Sequence, residues 1–239
     1  VLFRSLQQVE RARQDLEDQR GAATGHVAVA LPPSLSRALT GPLVELFRKR
    51  FPRATLTVVE GLSTYTLEWL VLGRIDCAVA YNVTPAAALE LQPVRDEPLF
   101  LVSARGSAPD KPVPLAKVAE HELVMPSRPH SLRMQLETAL AALGLRPRVG
   151  LEIESVPALL DLVERNPLHA VLARNALRGR EAAFVARPIE VAPGQPLAAT
   201  LWVATSSQRP LGPLGVKTTA LLAQLLQEPE AKDRKSTRL

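Results

Sequence analysis

The chain is 239 residues long, enough for one large domain or two small ones. Hydrophobic residues make up 46% and charged residues 22%, a balance that excludes a disordered chain, and the apolar runs are all too short for a membrane-spanning helix. A formal charge of +5 raises the question of a nucleic-acid partner, while a single cysteine, Cys77, excludes an internal disulfide framework and a Cys-based zinc site and makes a reducing, cytoplasmic setting the default.

The chain opens on Val1-Leu2-Phe3-Arg4-Ser5, which GTG CTC TTC CGA TCT encodes. It closes on Asp233-Arg234-Lys235-Ser236-Thr237-Arg238-Leu239, which GAT CGG AAG AGC ACA CGT CTG encodes. The stretch GCTCTTCCGATC of the first is the reverse complement of GATCGGAAGAGC in the second. The pair resembles a sequencing-library adapter, so residues 1–5 and 233–239 are expected to be adapter-derived tails on a translated fragment. Arg4, Asp233, Arg234, Lys235 and Arg238 together carry three of the five net positive charges. Most of the compositional case for nucleic-acid binding goes with them. No signal peptide is visible at the start.

Leu6 to Arg20 reads as a helix, free of Gly and Pro. Leu6, Val9 and Leu16 fall on a and d positions of a heptad. That narrow stripe suits pairing with a second helix, and residues 6–22 are expected to form a dimerisation helix. Gly21 and Gly25 end it.

A strand–helix alternation follows. His26–Leu31 is a continuous apolar strand, Pro32–Ser36 a loop, and Leu39, Leu43, Leu46 and Phe47 share one helix face. Pro52 breaks that helix. Thr55–Glu60 is a β-branched strand, and Ser63 or Thr64 can cap a helix carrying Leu67, Leu70 and Val71. Gly73 ends it before the strand Ile75–Tyr81. Short connections between such elements mean a parallel sheet covered on both faces.

The apolar run Pro98–Ser103 precedes a restart of the pattern. Glu122–Met125 is a strand, Ser131 opens a helix through Leu143, and Val149–Ile153 is a strand. Val156–Glu164 is a helix and His169–Leu172 a strand. Thr200–Ala204 is a late strand, followed by a helix from about 214 to 227. The chain therefore contains two similar α/β units, and the tail returns to the first. The expected architecture is α/β, with two Rossmann-like lobes joined by two crossover strands. Lobe I takes residues 23–100 and 204–232, and lobe II takes 101–203. Two crossovers imply a cleft and a hinge.

Catalytic constellations are sparse. His26, His121, His130 and His169 show no metal-ligand spacing, and neither G-x-G-x-x-G, G-x-x-x-x-G-K nor G-x-S-x-G occurs. Cys77 lies mid-strand in an apolar run and reads as a small buried hydrophobe. Asp76 and Glu60 are carboxylates with no evident partner. The absence of a catalytic set argues for a binding protein, with no metal and no cofactor. Ligands of open α/β sheets bind outside the carboxyl ends of strands. Ser34 and Ser36 sit at such a junction, and Met125-Pro126-Ser127-Arg128-Pro129-His130-Ser131 forms a counterpart in the second unit. Free N–H groups and the helix dipole favour an anion there. Plain N-caps are what Ser ordinarily forms at these positions, so spacing alone leaves both roles open.

At this point the sequence resembles the LysR-type transcriptional regulators, over their linker helix and effector-binding domain, from Leu6 to Leu226. The resemblance is carried by Gly25–Leu31, by Leu43–Pro52, by Glu60-Gly61, by Leu70-Val71-Leu72-Gly73-Arg74-Ile75-Asp76-Cys77-Ala78-Val79, and by Pro98–Val102. Ser34-Leu35-Ser36-Arg37 is similar to the loop of the nitrogen-assimilation and cysteine-regulon branches. The resemblance implies a fold like that of type 2 periplasmic binding proteins. It also implies regulation of transcription by a small, anionic effector, in a homodimer or homotetramer, with no membrane. Position by position, it implies effector contacts at Ser34 and Ser36 in the first lobe, at Ser127 and Ser131 in the second, and at His169 near the second hinge. There the chain departs from the family, with Asn166-Pro167-Leu168 where Gly-x-Gly is frequent. The family's winged helix-turn-helix precedes the linker helix, so operator DNA would be reached only through that missing segment. A solute-binding protein of a transporter shares the fold and is the second reading. An enzyme on this fold lacks a catalytic set here.

Overall fold

Val27 to Leu31 are buried without interruption, as a strand covered on both faces demands. They lie in β1 (Thr24–Leu31), which pairs in parallel with β2 (Arg53–Glu60) and β3 (Cys77–Tyr81). The structure is a computed structural model describing residues 24–107, 109 and 111–227. The dimerisation helix expected at 6–22, with Leu6, Val9 and Leu16, and the tails 1–5 and 233–239 lie outside the described residues.

Between the first strands run α1 (Pro33–Arg50) and α2 (Ser63–Leu72). Leu35, Leu39, Leu43 and Phe47 recur every fourth residue of α1 and are all buried. Arg48, Lys49 and Arg50 occupy its last turn, where cations complement the helix dipole. The sequence suggests a loop over Pro32–Ser36, yet the helix already begins at Pro33. Proline has no N–H to lose at this position, and its ring presets the helical φ. Nor do Ser63 and Thr64 cap α2. Leu62 is its N-cap, and the Ser63 hydroxyl instead accepts a hydrogen bond from the Tyr81 N–H at 3.0 Å. The helix stops at Gly73, whose φ of +75° closes the last turn onto Leu70 and Trp69. Asp76 has a partner after all: its Oδ2 accepts the Ala28 N–H at 2.8 Å, pinning β3 to β1.

The strand β4 (Leu89–Ala104) pairs over its first part with β11 (Ala198–Ser206), and β11 also pairs with β3. From Leu99 onward β4 pairs instead with β8 (Ala170–Ala173) and β9 (Phe184–Ala192). The chain thus leaves the first lobe at Pro98–Leu99. It returns at Leu197–Ala198, earlier than the 203/204 boundary read from the sequence, because all of β11 is hydrogen-bonded to first-lobe partners. Lobe II also contains β5 (Val113–Pro114), α3 (Leu115–Val118), β6 (Glu122–Met125), α4 (Ser131–Ala141), β7 (Arg148–Glu152), α5 (Val156–Arg165) and β10 (Gln195–Pro196). Parallel β6 and β7 form a small sheet, joined to the start of β8 by a bridge between Leu123 and His169.

The two units expected from the sequence share one hydrogen-bonded sheet through β4. Its sixteen residues are long enough to serve both. One hydrophobic core follows that strand, running from Leu43 and Phe47 past Leu99 and Leu101 to Leu123 and Leu136. The last helix, α6 (Pro213–Gln227), packs Leu221 and Leu222 into the same core and lies against α1 and β1. Among the described residues no helix is long and apolar enough to cross a membrane.

Candidate functional site

The carboxyl ends of β1 and β2 point toward the carboxyl end of β7, and a cavity of about 440 Å³ lies between them. That is within the usual range for small-molecule sites. Lobe I supplies Ser34 and Arg37 from the first turns of α1 and Glu60 from the last position of β2. Lobe II supplies Glu154, Ser155 and the start of α5, with Leu160 and Ala176 as apolar wall. Ser155 is the N-cap of α5, its hydroxyl accepting from the Ala158 N–H at 3.4 Å. Two helix N-termini therefore face one cavity, each bringing a positive dipole end.

Ser34 is buried, and its side chain acts on the Tyr81 phenol, working to lower its pKa. Tyr81 donates onward to Glu97 Oε2 at 2.7 Å. Glu97 lies on β4 just before the chain crosses into lobe II, and it is only 5% exposed. Its other oxygen accepts from Arg95 and, at 2.5 Å, from Asn175 Nδ2 of lobe II. A buried carboxylate needs such donors, since desolvation without them is costly. Burial first, and the Glu97 charge second, push the Tyr81 phenol well above its ordinary value. Tyr81 of lobe I and Asn175 of lobe II are therefore joined through Glu97 by one chain of hydrogen bonds at the hinge.

Ser36 points elsewhere: its hydroxyl lies 3.4 Å from that of Thr40 one turn on, and it does not line the cavity. Ser127 sits next to the cavity rather than in it. Its N–H donates to Glu154 Oε1 at 3.0 Å, and its hydroxyl binds the same oxygen, so Ser127 holds Glu154 in place. Ser131 opens α4 without lining the cavity, and the capping there belongs to His130, whose Nδ1 accepts from the Leu132 N–H at 3.3 Å. The loop between β6 and α4 is braced by Arg133, which donates to the Pro126 carbonyl at 2.9 Å and to Glu152 at 2.7 Å.

His169 is not brought to the cleft. It precedes β8, whose other end leads to Ala176 at the cavity. Its ring lies 4.2 Å from that of His121, at 39°. Burial, then the His121 and Arg187 charges, lower its pKa to about 4. In a parallel unit only the carboxyl ends of the strands meet the opposite lobe, and His169 stands at the amino end of its strand. Among the described residues no group of His, Cys, Asp or Glu is placed to hold a metal ion. Sequence reasoning missed Arg37, Glu60, Glu154 and Ser155. The signal for the last two was present in Glu154-Ser155-Val156-Pro157, a Ser followed by Pro at the start of an apolar helix.

A family model described as the LysR substrate binding domain matches residues 20–229. The nitrogen assimilation regulatory protein nac of Klebsiella aerogenes is 28% identical over 233 residues, covering 96% of this chain and 75% of that protein. Across the curated relatives it matches, the chain spans from about half to three quarters of their length. Among solved structures, the regulatory domain of CcmR from Synechocystis PCC6803, in complex with 2-PG, superposes with a TM-score of 0.75 at 16% identity, covering 85% of this chain and 98% of that one. Full-length CbnR complexed with its target DNA superposes at 0.72 and 17% identity, covering 93% of this chain and 77% of that one. At these identities the structures speak for the fold, which is that of type 2 periplasmic binding proteins.

Proposed function

The chain belongs to the LysR substrate binding domain family, and on that premise we propose that it is the sensing domain of a transcription regulator whose DNA-reading part lies outside this chain. A small effector fills the cavity between the lobes. Lobe closure over it then changes how paired domains pack, which is the step that reaches DNA. The observation that carries this reading is the cavity itself: Ser34 and Arg37 line it from one lobe and Glu154 and Ser155 from the other. A ligand touching both walls binds the closed arrangement better than the open one, and that differential is what shifts the population. The similarity to nitrogen assimilation regulatory proteins supports it.

On the same reading the protein acts in the cytoplasm as a homodimer or homotetramer, with residues 6–22 as the pairing helix, and operator DNA is bound through a separate DNA-reading domain. Lobe I is 24–98 with 198–227, lobe II the residues between. No catalytic step is assigned to it. Of the sites the resemblance implies, Ser34 contacts the effector directly and Ser127 acts through Glu154.

Reading the DNA upstream of the Leu6 codon in frame tests the proposal. A winged helix-turn-helix in that frame supports a regulator. A secretion signal joined directly to this domain makes it a solute receptor of a transporter and overturns the proposal.

A further inference from the structure

We propose that the cavity is built for an α-amino acid, or a close derivative keeping its ammonium group, and not for a simple carboxylate; this rests on the cleft being the effector site. The argument is one of charge. Arg37 and Glu60 both line the cavity, and neither side chain makes a hydrogen bond or ion pair with another described residue. They stand on the same lobe without neutralising each other. The Arg37 guanidinium reaches toward lobe II, where one of its nitrogens would lie 3.6 Å from a Cβ placed on Gly179. Across the cavity a second carboxylate, Glu154, is held in position by Ser127.

A ligand carrying only negative charge meets Arg37 and the two helix N-termini, but also two carboxylates at close range. Like charges brought together in a closing cleft are strongly disfavoured. A ligand carrying only positive charge meets Arg37. A molecule with both signs satisfies all three side chains: its carboxylate at Arg37 and the N-termini of α1 and α5, its ammonium between Glu60 and Glu154. Leu160 and Ala176 leave an apolar wall for a short side chain. Glu60 and Glu154 then act as specificity-determining residues, because an analogue lacking the ammonium leaves their charges uncompensated in the closed cleft.

The test is calorimetry and thermal shift on the full chain, with the common α-amino acids, ornithine, glutarate and putrescine at millimolar concentration. The expected result is saturable binding of at least one amino acid, with none of glutarate or putrescine. Glu60→Gln, an isosteric change at an exposed position, should weaken that binding about tenfold or more while leaving the unliganded melting temperature unchanged. Absence of binding by every amino acid overturns the proposal. So does glutarate bound as tightly as any amino acid with indifference to Glu60→Gln; if that binding is lost in Arg37→Ala, the cleft stands as the effector site and only the ligand class falls. Binding that survives both Arg37→Ala and Glu60→Gln removes the cleft assignment as well.

Discussion

Tyr81, the last residue of β3, donates its phenolic hydrogen to Glu97 Oε2 across 2.7 Å, tying the innermost part of lobe I to the strand that leaves it. Both groups are buried. Asn175 engages the same carboxylate from lobe II. Movement of the Asn175 turn relative to β3 therefore acts on one shared set of hydrogen bonds at the hinge.

Tyr81→Phe removes one donor from a buried carboxylate and leaves the shape of the core intact. A loss of about 1–3 kcal/mol in unfolding free energy is expected, read from the urea midpoint at constant m-value. An unchanged midpoint would show that Glu97 finds another donor.

Ser34→Ala and Ser131→Ala should separate cleanly. Ser34 lines the cavity and Ser131 does not. Once an effector is in hand, Ser34→Ala should weaken its binding by about 1 kcal/mol, roughly fivefold, and Ser131→Ala should leave it unchanged. Equal effects of the two would place the ligand elsewhere in the cleft.

Stability should fall as the solution is acidified from about pH 6.5 toward about pH 4. His169 has a folded pKa of about 4 against an ordinary 6.5, owing first to burial and then to His121 and Arg187. Between those values the unfolded chain binds a proton that the folded chain does not, so stability rises with pH across the window. The full contribution is present above the unfolded value. His121, also lowered by burial and by Arg187 although Glu120 opposes it, steepens the dependence. His169→Gln should flatten the difference between urea midpoints at about pH 7 and about pH 4.5; the same slope in the variant would rule His169 out as its source.

Gly73→Ala should cost about 1–2 kcal/mol, since a left-handed φ is unfavourable for any residue with a Cβ. The new methyl would also meet the Arg209 guanidinium, which donates to the Leu70 carbonyl at the end of α2. Thermal unfolding checks it, and an unaltered transition would mean that the turn can relax.

The α/β alternation was legible because its signals are local. Leu39, Leu43 and Phe47 announce the buried face of α1, to which the structure adds Leu35 while Leu46 is only partly buried, and the continuous run from His26 to Leu31 announces a strand covered on both sides. The strand β4 was legible only from Pro98 to Ser103. Its first half carries Glu90, Arg95, Asp96 and Glu97 and is interrupted by Pro93, which reads as loop. Pairing with β11 makes it a strand, with a register shift between Leu201 and Trp202 opposite Pro93 to absorb the proline.

The sequence by itself determined most of the strand–helix alternation and the family resemblance, because hydrophobic period, helix stops and strand composition act over a few residues, while β9 and the first half of β4 were not read from it. It also placed Ser34 at the end of the first strand, where parallel sheets bind ligands. Only the tertiary structure decided the charge of the cleft and which end of each strand reaches it. Glu60 and Glu154 are far apart in sequence yet both line the cavity, whereas His169 follows Glu154 closely in the chain but stands at the amino end of β8. Such encounters depend on how two lobes face each other across β4 and β11, a long-range arrangement that no local pattern encodes.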